Sequence, residues 1–188
     1  MNEKSRAEKG GIVMRVIVYT SSCIITGSLH LTAPIRLTDL LNNWQERFFP
    51  VHDPRVIQLQ ADQVESVPES DPLLIAREEI LLLHELPARA AATKPEGRVE
   101  MRVPKGPTPI RAYLGPYRID GTLYLPQQAD IATYLNRITE TFLALTDVSI
   151  CSAAREQLGT VHVPFALARR DRLIVTERQV GQAGEPEN

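Results

Sequence analysis

The chain has 188 residues, a formal net charge of −2 and 43% hydrophobic residues, a composition typical of soluble globular proteins. This charge balance predicts no general attraction to nucleic acid or to anionic membranes. No apolar run approaches the roughly 20 residues that span a bilayer. Two cysteines, Cys23 and Cys151, are too few for a disulfide framework. We therefore expect free thiols and a cytoplasmic protein without membrane association.

The first predicted elements are two strands. VMRVIVYT (13–20) is β-rich and its faces alternate. CIITGSLHL (23–31) follows, and Gly27 lies on its inward face together with Ile25, Leu29 and Leu31. A glycine on a buried strand face predicts a bend or a close approach of another backbone, as the closure of a small barrel requires. A plain bulge at a sheet edge is the alternative.

A short helix comes next. Leu37, Leu40, Leu41 and Trp44 are spaced i, i+3, i+4 and i+7, which predicts an apolar stripe about three turns long with Trp44 in the core. Asn42 stands where the stripe ends. We expect it to end the helix in the left-handed conformation that asparagine tolerates.

Strands then resume to the end of the first half. FFPVHDPRVIQLQ (48–60) predicts a return to strand. Within it, Asp53 is expected at the start of a strand, as a turn residue whose side chain bonds its own backbone. LLIA-RE-EILLLHEL (73–86) reads as a hairpin with a tight turn near Arg77.

The second half repeats this pattern. Residues 16–57 align with residues 110–151 at an offset of 94 without a gap, and the shared positions include the pairs Gly27/Gly121, Asn42/Asn136 and Asp53/Asp147. Further on, an offset of 92 aligns Arg77 with Arg169. Asp130 is the expected N-cap of the second helix. We interpret the repeat as an internal duplication, because identities at this density, in the same order and phase, are improbable by chance. Two copies are too few for a solenoid, so two small domains side by side are expected.

The predicted fold class is therefore mainly β with short helices. It consists of two tandem small β-barrel-like domains, residues 12–86 and 109–180, each strand, strand, helix, strand, strand, strand. Residues 87–108 form a linker rich in Pro, Ala and Gly, within which RVEMRV is compatible with an extra strand.

Residues that carry chemistry are sparse. The sequence has no phosphate-binding glycine loop, GxSxG, HExxH or CxxC motif. The chain has four histidines, at positions 30, 52, 84 and 162. A structural or catalytic zinc site needs three or four converging protein ligands, so we expect no metal and no cofactor. The candidate contacts to a phosphate or an acidic partner are four arginines whose charge neighbouring acidic residues largely cancel: Arg77, Arg169, Arg170 and Arg172.

The order of three motifs along each half of the chain resembles that of an uncharacterised bacterial domain family of unknown function. The family combines a G-x-L-x-L strand, an R-L-[ST]-D-x-L-N helix and an F-x-x-L-T-D-x-x-[VI] strand. The first copy has GSLHL and RLTDLLN but departs at FFPVHDPRVI, whereas the second has FLALTDVSI but DIATYLN. The resemblance implies no activity. A weaker likeness, to Sm-like RNA-binding barrels, rests on a Gly, an Asn and an Asp, and the helix between Gly and Asn departs from the Sm spacing.

These observations predict a non-enzymatic binding, assembly or adaptor protein. Open strand edges favour self-association or a protein partner. One alternative is Sm-like binding of nucleic acid or a nucleotide. The other is an enzyme with a site between the two repeats, to which His30 and His52 contribute.

Overall fold

The computed structural model of the chain describes residues 11–60, 64–66, 72–86, 104–153 and 159–177. These residues are mainly β and antiparallel, and the chain divides into two compact units, Met1–Ala91 and Ala92–Asn188. The expected extra strand at RVEMRV lies outside the described residues. Residues 105–108, assigned to the linker from the sequence, instead begin a strand.

The described part of the first unit contains six strands and one helix. Their bounds are β1 Ile12–Tyr19, β2 Cys23–Leu31, α1 Leu37–Asn43, β3 Phe48–Gln58, β4 Val64–Ser66, β5 Leu73–Ala76 and β6 Leu82–Glu85. The strands lie in the order β6-β1-β2-β3-β4, and β5 also pairs with β3. The inward side chains of β1 and β3, such as Val16, Val18 and Val51, are fully buried. Their alternation with exposed residues explains why these segments form strands with one buried face.

In the second unit, the residues that the structure describes form five strands and one helix. Their bounds are β7 Lys105–Leu114, β8 Tyr117–Pro126, α2 Ile131–Arg137, β9 Phe142–Ser152, β10 Thr160–Arg169 and β11 Ile174–Glu177. The ladders give the order β11-β7-β8-β9-β10. This is the element order expected from the sequence. The described ladders do not join β5 to β6 or β10 to β11, so the sheet is not closed.

Both units bend their third strand at the same place. Thr26 pairs with Arg55 and Ser28 with His52, so β3 carries one residue more than β2 across this step. The extra residue is Asp53, with φ 48°. In the second unit, Asp120 pairs with Ser149 and Thr122 with Thr146, and Asp147 has φ 51°. Each aspartate therefore lies at a β-bulge inside an eleven-residue strand, whereas the sequence had placed it at a strand start.

Gly27 and Gly121 face these bulges from the neighbouring strand. A Cβ at Gly27 would lie 2.7 Å from the His52 carbonyl oxygen and would also meet Val51. A Cβ at Gly121 would lie 3.3 Å from the Thr146 carbonyl oxygen. The bulged strand therefore approaches both glycines closely, and it approaches Gly27 more closely.

The segment around Arg77 is not a hairpin, which corrects the sequence prediction. β5 pairs with β3 and β6 pairs with β1, and a 3₁₀ turn, Arg77–Glu79, joins them. The second unit has the same turn at Arg170–Arg172, after which β11 pairs with β7. A hairpin turn would return the chain beside the strand it leaves, whereas the 3₁₀ turn carries it to a different strand.

Each helix has seven residues and is shorter than expected. Asp130 accepts a hydrogen bond from the Thr133 backbone N–H at 2.7 Å and caps α2. Asn42 and Asn136 do not end their helices in the left-handed conformation, which corrects that expectation. Both lie inside a helix, and the C-caps are Trp44 and Ile138 with extended backbone. Trp44 is half-buried, packs edge-on against Phe49 and donates to the Phe48 carbonyl.

Candidate binding surface

Two of the four candidate arginines hold helix ends. Arg77 donates to the Leu41 carbonyl at 3.2 Å. Arg170 donates to the Leu135 and Ile138 carbonyls at 3.0 and 2.7 Å. The last carbonyls of a helix have no partner within the helix, and a cation there also offsets the helix dipole. The part-buried guanidinium groups of Arg77 and Arg170 therefore connect each 3₁₀ turn to the helix of its own unit.

The geometry of these turns revises part of the predicted alignment between the two halves. Arg77 and Arg170 both open a 3₁₀ turn, and their backbone N–H groups donate to the carbonyls of Arg47 and Thr141. The equivalent of Arg77 is therefore Arg170, at an offset of 93, and not Arg169 at an offset of 92. The offset of 92 fits the strand after the turn, where Tyr19 pairs with Leu82 and Tyr113 with Ile174. It shifts the turn and the strand before it by one residue.

The other two arginines differ in exposure. Arg169 is buried, lies 2.9 Å from the Asp171 carboxylate and stacks its guanidinium over Phe142. Arg172 is exposed. Of the four arginines, Arg172 therefore offers its side chain most openly to a partner.

The most exposed large apolar side chain among the described residues lies on β11. Ile174 is 71% exposed, and its Cα partner on β7 is Tyr113, itself 44% exposed. Among the described strands, β11 pairs with β7 alone. This edge is named here the β11 edge (Ile174–Glu177 with Tyr113). It combines apolar side chains with backbone groups that no second strand among the described residues pairs with. Sequence reasoning missed it, because IVTE shows a strand but not which side of that strand stays open.

A polar row crosses the outer face of the second unit. The Cα partners Thr176, Arg111, Asp120, Ser149 and His162 follow one another across β11, β7, β8, β9 and β10. Arg111 binds the Asp120 carboxylate with two nitrogens at 2.7 and 3.2 Å, and this hydrogen bond and charge raise the pKa of Arg111. Ser149 Oγ lies 2.9 Å from His162 Nδ1.

This row contains a Ser–His pair but not a catalytic triad. Activation of a serine requires a carboxylate that orients the far nitrogen of the histidine, and Asp120 is held by Arg111 on the other side of Ser149. The contact between Arg111 and Asp120 could have been predicted from the sequence. The loop Gly115–Pro116 joins β7 to β8 and sets Leu114 opposite Tyr117, so Arg111 falls opposite Asp120.

The structure brings together His30 and His52. Their rings stack with centroids 4.1 Å apart and planes 8° apart, on neighbouring strands of the first unit. The described residues hold no group of three or more His, Cys, Asp or Glu side chains arranged to bind a metal ion.

His84 has a different environment, at the centre of a buried pair with Tyr19. Its Nδ1 donates to the Glu85 carbonyl, so its Nε2 accepts from the Tyr19 hydroxyl, both at 3.2 Å. Burial lowers the pKa of His84, against the opposing effect of the Glu85 hydrogen bond, and raises the pKa of Tyr19 to about 12. Both groups are therefore neutral near pH 7 and act in packing.

Comparison with protein-family models, curated proteins and solved structures gives no match. The resemblance to the bacterial domain family therefore stays a prediction. Among the described residues, no helix has the length and apolar character needed to cross a membrane.

Proposed function

We propose that this protein is a non-enzymatic binding and assembly module, and that two copies associate by pairing strands at the β11 edge. The observation that carries the proposal is the 71% exposure of Ile174 on a strand with one ladder among the described residues. An edge strand presents unpaired N–H and C=O groups, and a second chain satisfies them by adding a strand.

The composition of the edge supports this function. Natural proteins protect edge strands from pairing with lysine, proline or an inward charge, or by keeping the strand very short. β11 has four residues, Ile-Val-Thr-Glu, and carries neither lysine nor proline. Pairing two such edges also removes part of the Ile174 side chain from water, where burial of apolar surface contributes roughly 25 cal/mol per Å². In the first unit, Leu74 on β5 is exposed in the same way and is the second candidate position.

The architecture that goes with this proposal is a duplicated small barrel. Three features recur in both units: the β-bulge opposite a glycine, the seven-residue helix, and the 3₁₀ turn that begins with an arginine bound to the helix end. Such repetition of irregular features supports a common ancestor for the halves. The barrel-like form of each unit, and a cytoplasmic location, belong to the proposal as well.

The alternatives have less support. A nucleic-acid site needs cations free to meet phosphates, and Arg111 and Arg118 both lie at the Asp120 carboxylate. A hydrolase needs a correctly oriented acid, and the Ser149–His162 pair does not have Asp120 in that place.

Native mass spectrometry and light scattering on purified protein test the proposal. We expect a discrete oligomer of bare chains for the wild type and monomers for Ile174→Lys, because a lysine on an edge strand opposes strand addition. Val161→Lys, at another exposed apolar position, is the control and keeps the oligomer. A wild-type monomer, or an Ile174→Lys variant that still assembles, would refute pairing at this edge. A monomer that carries extra mass would indicate a ligand-binding protein instead.

A further inference from the structure

The stacked histidine pair differs from the other two histidines of the chain. His84 engages both ring nitrogens, and His162 engages Nδ1 with Ser149. No hydrogen bond within the described residues occupies a ring nitrogen of His30 or His52, and His30 is exposed. Two imidazoles with available nitrogens therefore lie side by side at the surface.

The β-bulge is what brings these two rings together. Side chains alternate along a strand, so without the extra residue Asp53 would stand opposite Ser28 on this face. With the bulge, His52 is the Cα partner of Ser28. His30 follows two residues after Ser28 on the same face of β2, and its ring reaches His52 diagonally. In the second unit the same bulge places Thr146 there, and Tyr124 replaces His30.

We propose that His30 and His52 bind a divalent first-row transition-metal ion, with water molecules in the remaining coordination positions. Neutral imidazole is a common ligand for such ions, at metal–nitrogen distances of about 2.0–2.1 Å. Rotation of both rings about χ2, which is a broad torsion for histidine, turns one nitrogen of each toward a shared ion. This site is separate from the β11 edge, and it does not depend on the proposed assembly.

The ligand set determines which ions bind. Two nitrogens with water favour Cu²⁺ over Zn²⁺, following the general order of affinity for divalent metals. Mg²⁺ and Ca²⁺ prefer oxygen ligands and are not expected to bind. With two protein ligands, the ion exchanges more readily than in structural zinc sites, which have four.

Calorimetric titration with Cu²⁺, Zn²⁺ and Mg²⁺ tests the site, together with electron paramagnetic resonance of the Cu²⁺ complex to count coordinated nitrogens. The key variants are His30→Tyr and His52→Thr, which introduce the residues that the second unit carries at these positions. His162→Ala is the control, because that histidine lies in the other unit. Fluorescence of Trp44, the single tryptophan, reports whether the first unit remains folded.

We expect one Cu²⁺ per chain with two imidazole nitrogens, weaker Zn²⁺ binding and no Mg²⁺ binding. Each of the two replacements weakens Cu²⁺ binding at least about tenfold, since one of the two protein ligands is lost, and His162→Ala does not change it. If the folded double variant His30→Tyr/His52→Thr bound Cu²⁺ as the wild type does, the assignment would be wrong. Absence of binding by the wild type would also overturn it.

Discussion

Gly27 and Gly121 offer a direct test of how tightly each bulged strand packs. Both glycines lie in the second strand of their unit and face a bulge, but an added Cβ meets different space. At Gly27 it lies 2.7 Å from the His52 carbonyl oxygen and also meets Val51, whereas at Gly121 its closest neighbour, the Thr146 carbonyl oxygen, lies at 3.3 Å. Neither glycine has a positive φ, so alanine fits the backbone at both sites and the two substitutions differ in steric contact.

The magnitude follows from two opposing effects. Replacing a strand glycine by alanine stabilises the folded protein by about 0.5–1 kcal/mol, because alanine lowers the conformational entropy of the unfolded chain. Forcing extra volume into packed structure costs about 1–3 kcal/mol. At Gly27 the two nearest atoms are Cγ1 of the buried Val51 side chain and the His52 backbone oxygen, which cannot rotate away. We therefore expect Gly27→Ala to lower the free energy of unfolding by about 1–2 kcal/mol. At Gly121 the effects nearly cancel, and we expect a change within about 1 kcal/mol of zero.

Urea denaturation measures both variants. Trp44 fluorescence follows the first unit, which contains the single tryptophan, and far-ultraviolet circular dichroism follows the whole chain. A shift in midpoint at unchanged slope is a change in stability. The expected result is a lower fluorescence midpoint for Gly27→Ala and an almost unchanged dichroism transition for Gly121→Ala. Equal midpoints for the two variants would refute the argument that the bulge of the first unit is the tighter one.

Two further predictions concern the helix ends and the buried histidine. Arg170→Ala removes two hydrogen bonds to carbonyls at the helix end and should lower the free energy of unfolding by about 1–2 kcal/mol after allowance for partial exposure. Replacing the exposed Arg172 by Ala should change the free energy of unfolding, measured by urea denaturation, by less than about 0.5 kcal/mol. Burial lowers the pKa of His84 in the folded protein, so the unfolded chain binds a proton more readily than the folded chain. The contribution of His84 to stability should therefore be present above about pH 6.5 and should be lost as the pH falls toward the lower pKa of the folded state. The urea midpoint should therefore fall as the pH is lowered from about 8 to 5, and His84→Gln should make this pH dependence weaker. An unchanged pH dependence in that variant would contradict the assignment of the effect to His84. For Tyr19, stability should fall as pH rises from 10.0 to about 12.

Short-range patterns predicted much of the secondary structure. β2 has the predicted bounds, Cys23–Leu31, because its alternation and flanking turn residues are local signals. Asp130 caps its helix as expected, since an N-cap depends on residues within one turn. The short apolar stripes located both helices, although each proved to be only seven residues long.

Errors arose where a segment's partner lies far along the chain. LLIA-RE-EILLLHEL looks like a hairpin because two apolar runs flank a turn, but β5 and β6 find different strands. The prediction for the asparagines was also wrong. Asn42 stands in a sequence context typical of a helix end, yet the helix ends one residue later with extended backbone at Trp44.

The sequence by itself determined the alternation of strands, the positions of the helices and the likeness of the two halves, because each depends on neighbouring residues or on identity between the copies. The tertiary structure decided the register of the bulges, the equivalence of Arg77 with Arg170, the meeting of His30 with His52 and the exposure of Ile174. The physical reason is that one extra residue at Asp53 reverses which side chains face outward along the rest of β3. Local sequence does not state on which strand, or at which residue, that shift occurs.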